Sequence, residues 1–210
     1  MTPWTPRRCD CSSWAAINGE TNDDWWFRTL PTQAPACRIA FGSCADEGEG
    51  SSSGWRRIDA DEATAVVLLG DTPYIDTTDL ETQRARYRAF ASVPAFASLV
   101  SHTPLYSTWD DHDFGKNDTD GNLPGKKHSR QAFKEYRPTP SFGENEQGIY
   151  TSFRQGPVEV FLLDARWFAG TEETRTLLGA QQWAWLERSL RDSTAPYKVL
   201  ACGMVFNGSV

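Results

Sequence analysis

The sequence predicts an α/β fold, a sheet covered by helices on both faces, on two observations. From Cys37 onward, short apolar runs alternate with helical patterns, the arrangement of βαβ-type units. Five of those runs read as buried strands, and four of them, CRIAFGSC, AVVLLGDTPY, LYSTWDDHD and VEVFLLDAR, lead straight into a residue able to bind a metal or do chemistry. In open α/β sheets ligands sit outside the carboxyl ends of the strands. Cys44, Asp71, Tyr74, Asp111, His112 and Asp164 are therefore expected to converge although they are distant in sequence.

Along the chain, the region before Cys37 is rich in Trp, Asn, Asp and Thr, and WWFRTLP reads as a short strand stopped by Pro31. Residues 1–36 are taken as a linker or the end of an N-terminal β-module, and residues 37–210 as a separate domain. The first domain strand, Arg38 to Phe41, is followed by the loop ADEGEGSSSG and a helix near Trp55 to Ala63, which returns the chain to a strand at Ala65 to Leu69. After Tyr74 the periodicity predicts two helices, one with Leu80, Tyr87 and Ala91 on a shared face, the other opened by Pro94 and carrying Phe96, Leu99 and Val100. A strand over Leu105 to Trp109 ends in Asp110-Asp111-His112.

The polar loop FGKNDTDGNLPGKKH is long enough to be read as functional, and Ser129 as the N-cap of a helix over SRQAFKEYR. GIYTSFRQGPVEVFLLDAR predicts a hairpin turning at Gly156-Pro157. LGAQQWAWLERSLRDST predicts a helix burying Trp183, Leu186 and Leu190, and YKVLACG a last strand. The sequence stops at MVFNGSV just past that strand, which reads as a truncation.

At 210 residues, with 39% hydrophobic and 23% charged positions, the composition is that of one globular domain with a real core. The net charge of −7 argues against general nucleic-acid binding, which needs clustered Lys and Arg. No run approaches the roughly 18 apolar residues that cross a bilayer, and no apolar stretch follows Arg7 and Arg8 as a signal peptide requires. The five cysteines, Cys9, Cys11, Cys37, Cys44 and Cys202, show neither a disulfide framework nor paired metal-ligand spacing.

The candidate site residues divide by chemistry. Asp71, after a strand end freed of bulk by Gly70, either bridges metals or caps the following turn. Asp110-Asp111-His112-Asp113 crowds three carboxylates around a histidine, a repulsion that cations, solvent or hydrogen bonds must relieve. Cys44 is a structural thiol, a ligand or a nucleophile, and Tyr74 becomes a ligand only where a highly charged cation lowers a phenol pKa of about 10. Asp164 and Arg166 read as an internal salt bridge, or Arg166 as a planar fork for phosphate. The Asn117–Asn122 run fails as an EF-hand because Lys116 and Lys127 fall at its first and closing positions.

Together RIAFGSCA, VVLLGDTPYID, STWDDHDFGKND, GIYTSFRQGPVEVFLLDARWF, LLGAQQWAWL and KVLACGMVFNGSV resemble, in order and spacing, the PhoD-like alkaline phosphatases of the metallophosphoesterase superfamily. The resemblance implies a sandwich of two β-sheets flanked by helices. It implies hydrolysis of phosphate mono- or diesters by hydroxide generated on ferric iron and calcium. It assigns Cys44 and Tyr74 to iron, Asp71 to a metal bridge, and Asp111 and Asn117 to further metal contacts, with His112 as a catalytic group; Arg166, as a fork for phosphate, is taken as a second catalytic group on its own chemistry. It implies an extracytoplasmic setting and a phosphoester small molecule or phospholipid as partner.

Members share a later Gly-Asp-x-His segment that supplies further ligands and that this sequence lacks. The expectation is thus the N-terminal portion of a catalytic domain, inactive alone or completed by a second chain. Two alternatives stand beside it: a thiol hydrolase with Cys44 as nucleophile and His112 as base, or a non-catalytic fragment. A serine hydrolase is disfavoured by the lack of a G-x-S-x-G elbow.

Overall fold

A computed structural model describes residues 34–170 and 176–205. The expected strand at WWFRTLP, Cys9, Cys11 and the final NGSV lie outside the described residues. Among the described residues the strands form two three-stranded sheets. In the first, strands β1 (Ile39–Gly42), β2 (Ala65–Leu69) and β3 (Leu105–Thr108) run parallel in that spatial order. In the second, β4 (Thr151–Gln155) and β5 (Val158–Leu162) form an antiparallel hairpin, and β6 (Tyr197–Ala201) joins β5 in parallel.

The helices are α1 (Glu49–Ala60), α2 (Leu80–Ala91), α3 (Pro94–Val100), α4 (Asp111–Phe114), α5 (Lys126–Tyr136) and α6 (Gly179–Asp192). Strand side chains alternate between faces, and both faces here are buried. In β2, Val66 and Leu68 pack with Trp55 of α1 and Phe96 and Leu99 of α3, whereas Val67 turns inward to Phe153, Val160 and Leu162 of the other sheet. Tyr106 stacks on Phe153 across that inter-sheet layer, the ring centroids 3.5 Å apart and the planes nearly parallel. On the far side, Phe161 and Leu163 pack under Leu186 of α6. The result is a sandwich of two sheets with helices on each outer face, which explains why these strands read as continuous apolar runs.

Several local expectations change. The Gly/Ser-rich stretch after Cys44 is not all loop, since α1 begins at Glu49 inside it. Ser129 does not cap α5; the helix starts one turn earlier, after Gly125, and Ser129 lies buried within it. On α6, Trp183 is 54% exposed and Gln182 occupies the buried face with Leu186. Gln182 is there because its amide accepts from Asp164 N–H and donates to Asp164 C=O, closing the chain just past β5.

Asp164 is fully buried and belongs to the framework. Its carboxylate accepts from the Trp109 indole at 2.7 Å and from the backbone N–H groups of Ile149, Arg166 and Trp167 at 3.0, 3.0 and 2.9 Å. Burial raises its pKa and these donors oppose the rise. The expected salt bridge to the Arg166 side chain does not form, because that guanidinium turns to other carboxylates described below. Asp164→Asn places an NH2 group against an N–H donor in the core. It is expected to cost about 2–3 kcal/mol, read as a lower denaturant midpoint at constant m-value.

Candidate metal centre

The three parallel strands deliver their following loops to one edge. Past β1 the chain reaches Cys44, past β2 Asp71 and Tyr74, and past β3 Asp111 and His112 at the start of α4. The turns are tight. Gly70 sits at φ +105°, where a Cβ would lie 2.3 Å from Asp110 N and 2.7 Å from the Trp109 carbonyl carbon. Gly70→Ala therefore combines backbone strain with overpacking, and is expected to lower stability by about 2–6 kcal/mol in a thermal melt.

Cys44, Asp71 and Asp76 all occupy left-handed backbone at φ 54°, 53° and 61°. Asp tolerates that region, but Cys rarely does, and such strain persists where the surroundings impose it. Here they do: Cys44 N–H donates to Gly70 C=O and Ala45 N–H to Asp71 C=O, while Ile75 and Asp76 N–H both donate to His112 C=O.

This backbone brings Asp71, Asp111 and His112 together, each offering one ligand atom, all within 4.8 Å of one another. The Cys44 thiol donates to Asp71 Oδ2 at 3.6 Å, and His112 N–H to Asp71 Oδ1 at 3.3 Å. The Tyr74 ring meets the His112 imidazole edge-on, 4.6 Å between centroids. Five of the residues predicted to converge thus do so.

The electrostatics are those of crowded anions. Burial raises the Asp71 pKa, and the charges of Asp110 and Asp111 raise it further. Burial, the Cys44 hydrogen bond and the neighbouring acids push the Tyr74 phenol up to about 12. Burial also holds the enclosed Asp113 carboxyl up to about 8, while it accepts from Asp110 N–H at 2.7 Å at the head of α4. Burial disfavours a charged His112, but the hydrogen bond from Nδ1 to Asp76 at 2.6 Å and the charges of Asp76, Asp71 and Asp111 outweigh it and raise the pKa.

Arg166 relieves part of the crowding. Its Nε donates to Asp110 at 2.6 Å, Nη1 to Thr119 C=O at 3.0 Å, and Nη2 lies 3.6 Å from Asp111. Its three nitrogens face protein acceptors, so the side chain braces the acidic loop. Asp111 also accepts from Asp118 N–H at 2.6 Å; although burial opposes ionisation, these partners lower its pKa. Asn117 stands on the same loop, donating to the Asp118 carboxylate at 2.6 Å.

Thiol, phenol, carboxylate and imidazole donors around two crowded acids fit a metal site: a cation would neutralise the repulsion, and a strong Lewis acid would hold the thiolate and phenolate. Sequence reasoning missed Asp76, which orients His112, and the Asp110–Arg166 pair. Asp76 stands five residues beyond Asp71 and its spacing signals nothing; only the fold sets it against the imidazole.

Comparison with known proteins agrees with this architecture. The chain is 25% identical, over a matched span of 234 positions with gaps, to alkaline phosphatase D of Bacillus subtilis (strain 168), covering 85% of this chain and 40% of that protein. The solved structure of PhoD superposes with a TM-score of 0.65 at 23% identity, covering 78% of this chain and 41% of that one. Purple acid phosphatase PPD1 from yellow lupin (Lupinus luteus) seeds superposes with a TM-score of 0.56 at 16% identity, covering 81% of this chain and 31% of that one. These two likenesses establish the fold, a metallophosphoesterase-type sandwich. The chain therefore spans about 40% of the length of the curated relative. The family description PhoD-like phosphatase matches residues 39–210, most of the sequence, and the chain belongs to that family.

Proposed function

We propose that residues 37–210 carry the metal site of a phosphatase that hydrolyses phosphate mono- or diesters. The observation that carries the reading is the Asp71–Asp111–His112 cluster at the ends of β2 and β3, with the Cys44 thiol against Asp71. Asp71, Cys44 and Tyr74 would hold ferric iron, and Asp111 and Asn117 would make further contacts to it or to calcium. When bound, the metals supply an activated water and polarise the phosphoryl oxygens.

The chain's own groups do the rest. Asp76 engages His112 Nδ1, leaving Nε2 to carry a proton to the leaving oxygen. Arg166 acts by holding Asp110 and Asp111 in place. The substrate class is a phosphoester small molecule or a phospholipid headgroup. Among the described residues no helix is long and apolar enough to cross a membrane. The comparisons give no support to a second chain, and none is invoked.

The test is hydrolysis of p-nitrophenyl phosphate and bis-p-nitrophenyl phosphate after chelation, with and without added iron and calcium. In a form extended to include a Gly-Asp-x-His segment, turnover restored by metals, with iron lost in Cys44→Ala, is the expected result. Metal-independent turnover abolished by alkylating Cys44 would replace this reading with thiol hydrolysis. The geometry favours the former, because the Cys44 thiol faces Asp71 while His112 Nδ1 is engaged by Asp76.

A further inference from the structure

The geometry points to Arg86 as a positioning residue that sets the spacing between Cys44 and Tyr74, an inference that rests on the proposed metal centre. Arg86 projects from α2, outside the cluster, and none of its atoms is a metal ligand. Its Nε donates to the Tyr74 carbonyl at 3.1 Å. Its Nη2 donates to Glu47 Oε2 at 3.1 Å, and Nη1 lies 2.9 Å from Oε1 as an ion-pair contact without hydrogen-bond geometry. Glu47 stands three residues past Cys44. One guanidinium thus ties the loop after β1, which carries the thiol, to the loop after β2, which carries the phenol.

The tie matters because of what else holds the Asp71–Asp76 segment. Asp71 C=O is held by Ala45 N–H, Thr72 C=O by the buried Arg137 guanidinium, and Ile75 and Asp76 N–H by His112 C=O. Between these fixed points, the Tyr74 carbonyl is held by Arg86. Without it the Tyr74 backbone loses its carbonyl tie to the Cys44 loop and the ring is held only through its contacts with His112 and Cys44. Groups behind the ligands that fix their geometry typically change metal affinity 10–100-fold when removed. A lysine cannot replace the planar fork, since it supplies a point charge.

The experiment compares wild type, Arg86→Ala, Arg86→Lys, Glu47→Gln and the Arg86→Ala/Glu47→Gln double variant. Ferric iron affinity is read by chelator competition, the iron–phenolate absorption band by spectroscopy, and metal-free stability by denaturant. Expected are affinity lowered roughly 10-fold or more and a shifted or weakened band in Arg86→Ala. Glu47→Gln should move in the same direction, Arg86→Lys should recover only part, and the double variant should be no worse than Arg86→Ala alone.

Wild-type iron affinity and band in Arg86→Ala would overturn the inference and leave the metal-centre reading intact. A loss confined to metal-free stability would overturn it too, reducing Arg86 to a structural contact. If the wild-type protein binds no iron, both the metal centre and the positioning role fall.

Discussion

Asp71→Asn is expected to lower phosphoester hydrolysis by at least about 10³-fold, some 4 kcal/mol of transition-state stabilisation, and to strip the metals from the site. The substitution keeps the shape of the side chain, and its carbonyl oxygen still accepts from His112 N–H. What it removes is the negative charge that the proposed metal site needs at this position. Folding should not suffer. Burial and the charges of Asp110 and Asp111 raise the Asp71 pKa, so the native state binds its proton more readily than the unfolded state does. The ionised group therefore weakens the metal-free fold as pH rises past the unfolded carboxylate value. The metal-free Asn variant is expected to be as stable as wild type at neutral pH or more so. A variant that loses turnover while its denaturant midpoint holds or rises identifies Asp71 as functional; a fall in both would mark it as a framework residue.

His112→Ala is expected to reduce kcat by about 10²–10⁴-fold, the range for removing a positioned acid or base, while metal content stays close to that of wild type. Asp76→Ala should follow in the same direction with a smaller loss, because it orients the imidazole through Nδ1. It should also lower the His112 pKa, since the Asp76 partner raises it against burial. The measurement is kcat with metal analysis on each variant and a histidine titration by NMR on metal-free protein. Metal lost together with kcat in His112→Ala would make the imidazole a ligand instead of a proton donor.

Much of this was legible because strand chemistry is local. The run AVVLLGD announces a buried strand and a residue freed at its end, and the structure places Val66, Val67 and Leu68 wholly inside with Asp71 at the edge. Convergence of Cys44, Asp71 and Asp111 followed from the rule that parallel strands deliver their loops to one side. The fates of Asp164 and Arg166 were not legible. Two residues apart, they looked like partners, yet both lie past the end of β5 where strand alternation no longer applies, Asp164 entering the core against Trp109 and Arg166 reaching across to Asp110.

Helix ends were misread where side-chain preference lost to tertiary contacts. Ser129 has the chemistry of a cap, but Gln83 from α2 donates to its hydroxyl at 3.3 Å inside the core, and α5 extends back to Gly125. Gly125 in turn is required where the chain presses on Thr78 at φ +82°. Arg86 and Asp76 were invisible for the same reason: their partners lie 39 and 36 residues away in sequence.

The most direct test of the metal centre is a crystal structure of the protein grown with iron and calcium, with anomalous data collected on both sides of the iron absorption edge. An iron peak at coordination distance, about 2.0–2.5 Å, from Asp71 and from the Cys44 sulfur or Tyr74 oxygen is the predicted result. No peak at the ends of β2 and β3, or iron bound only elsewhere on the molecule, would contradict it.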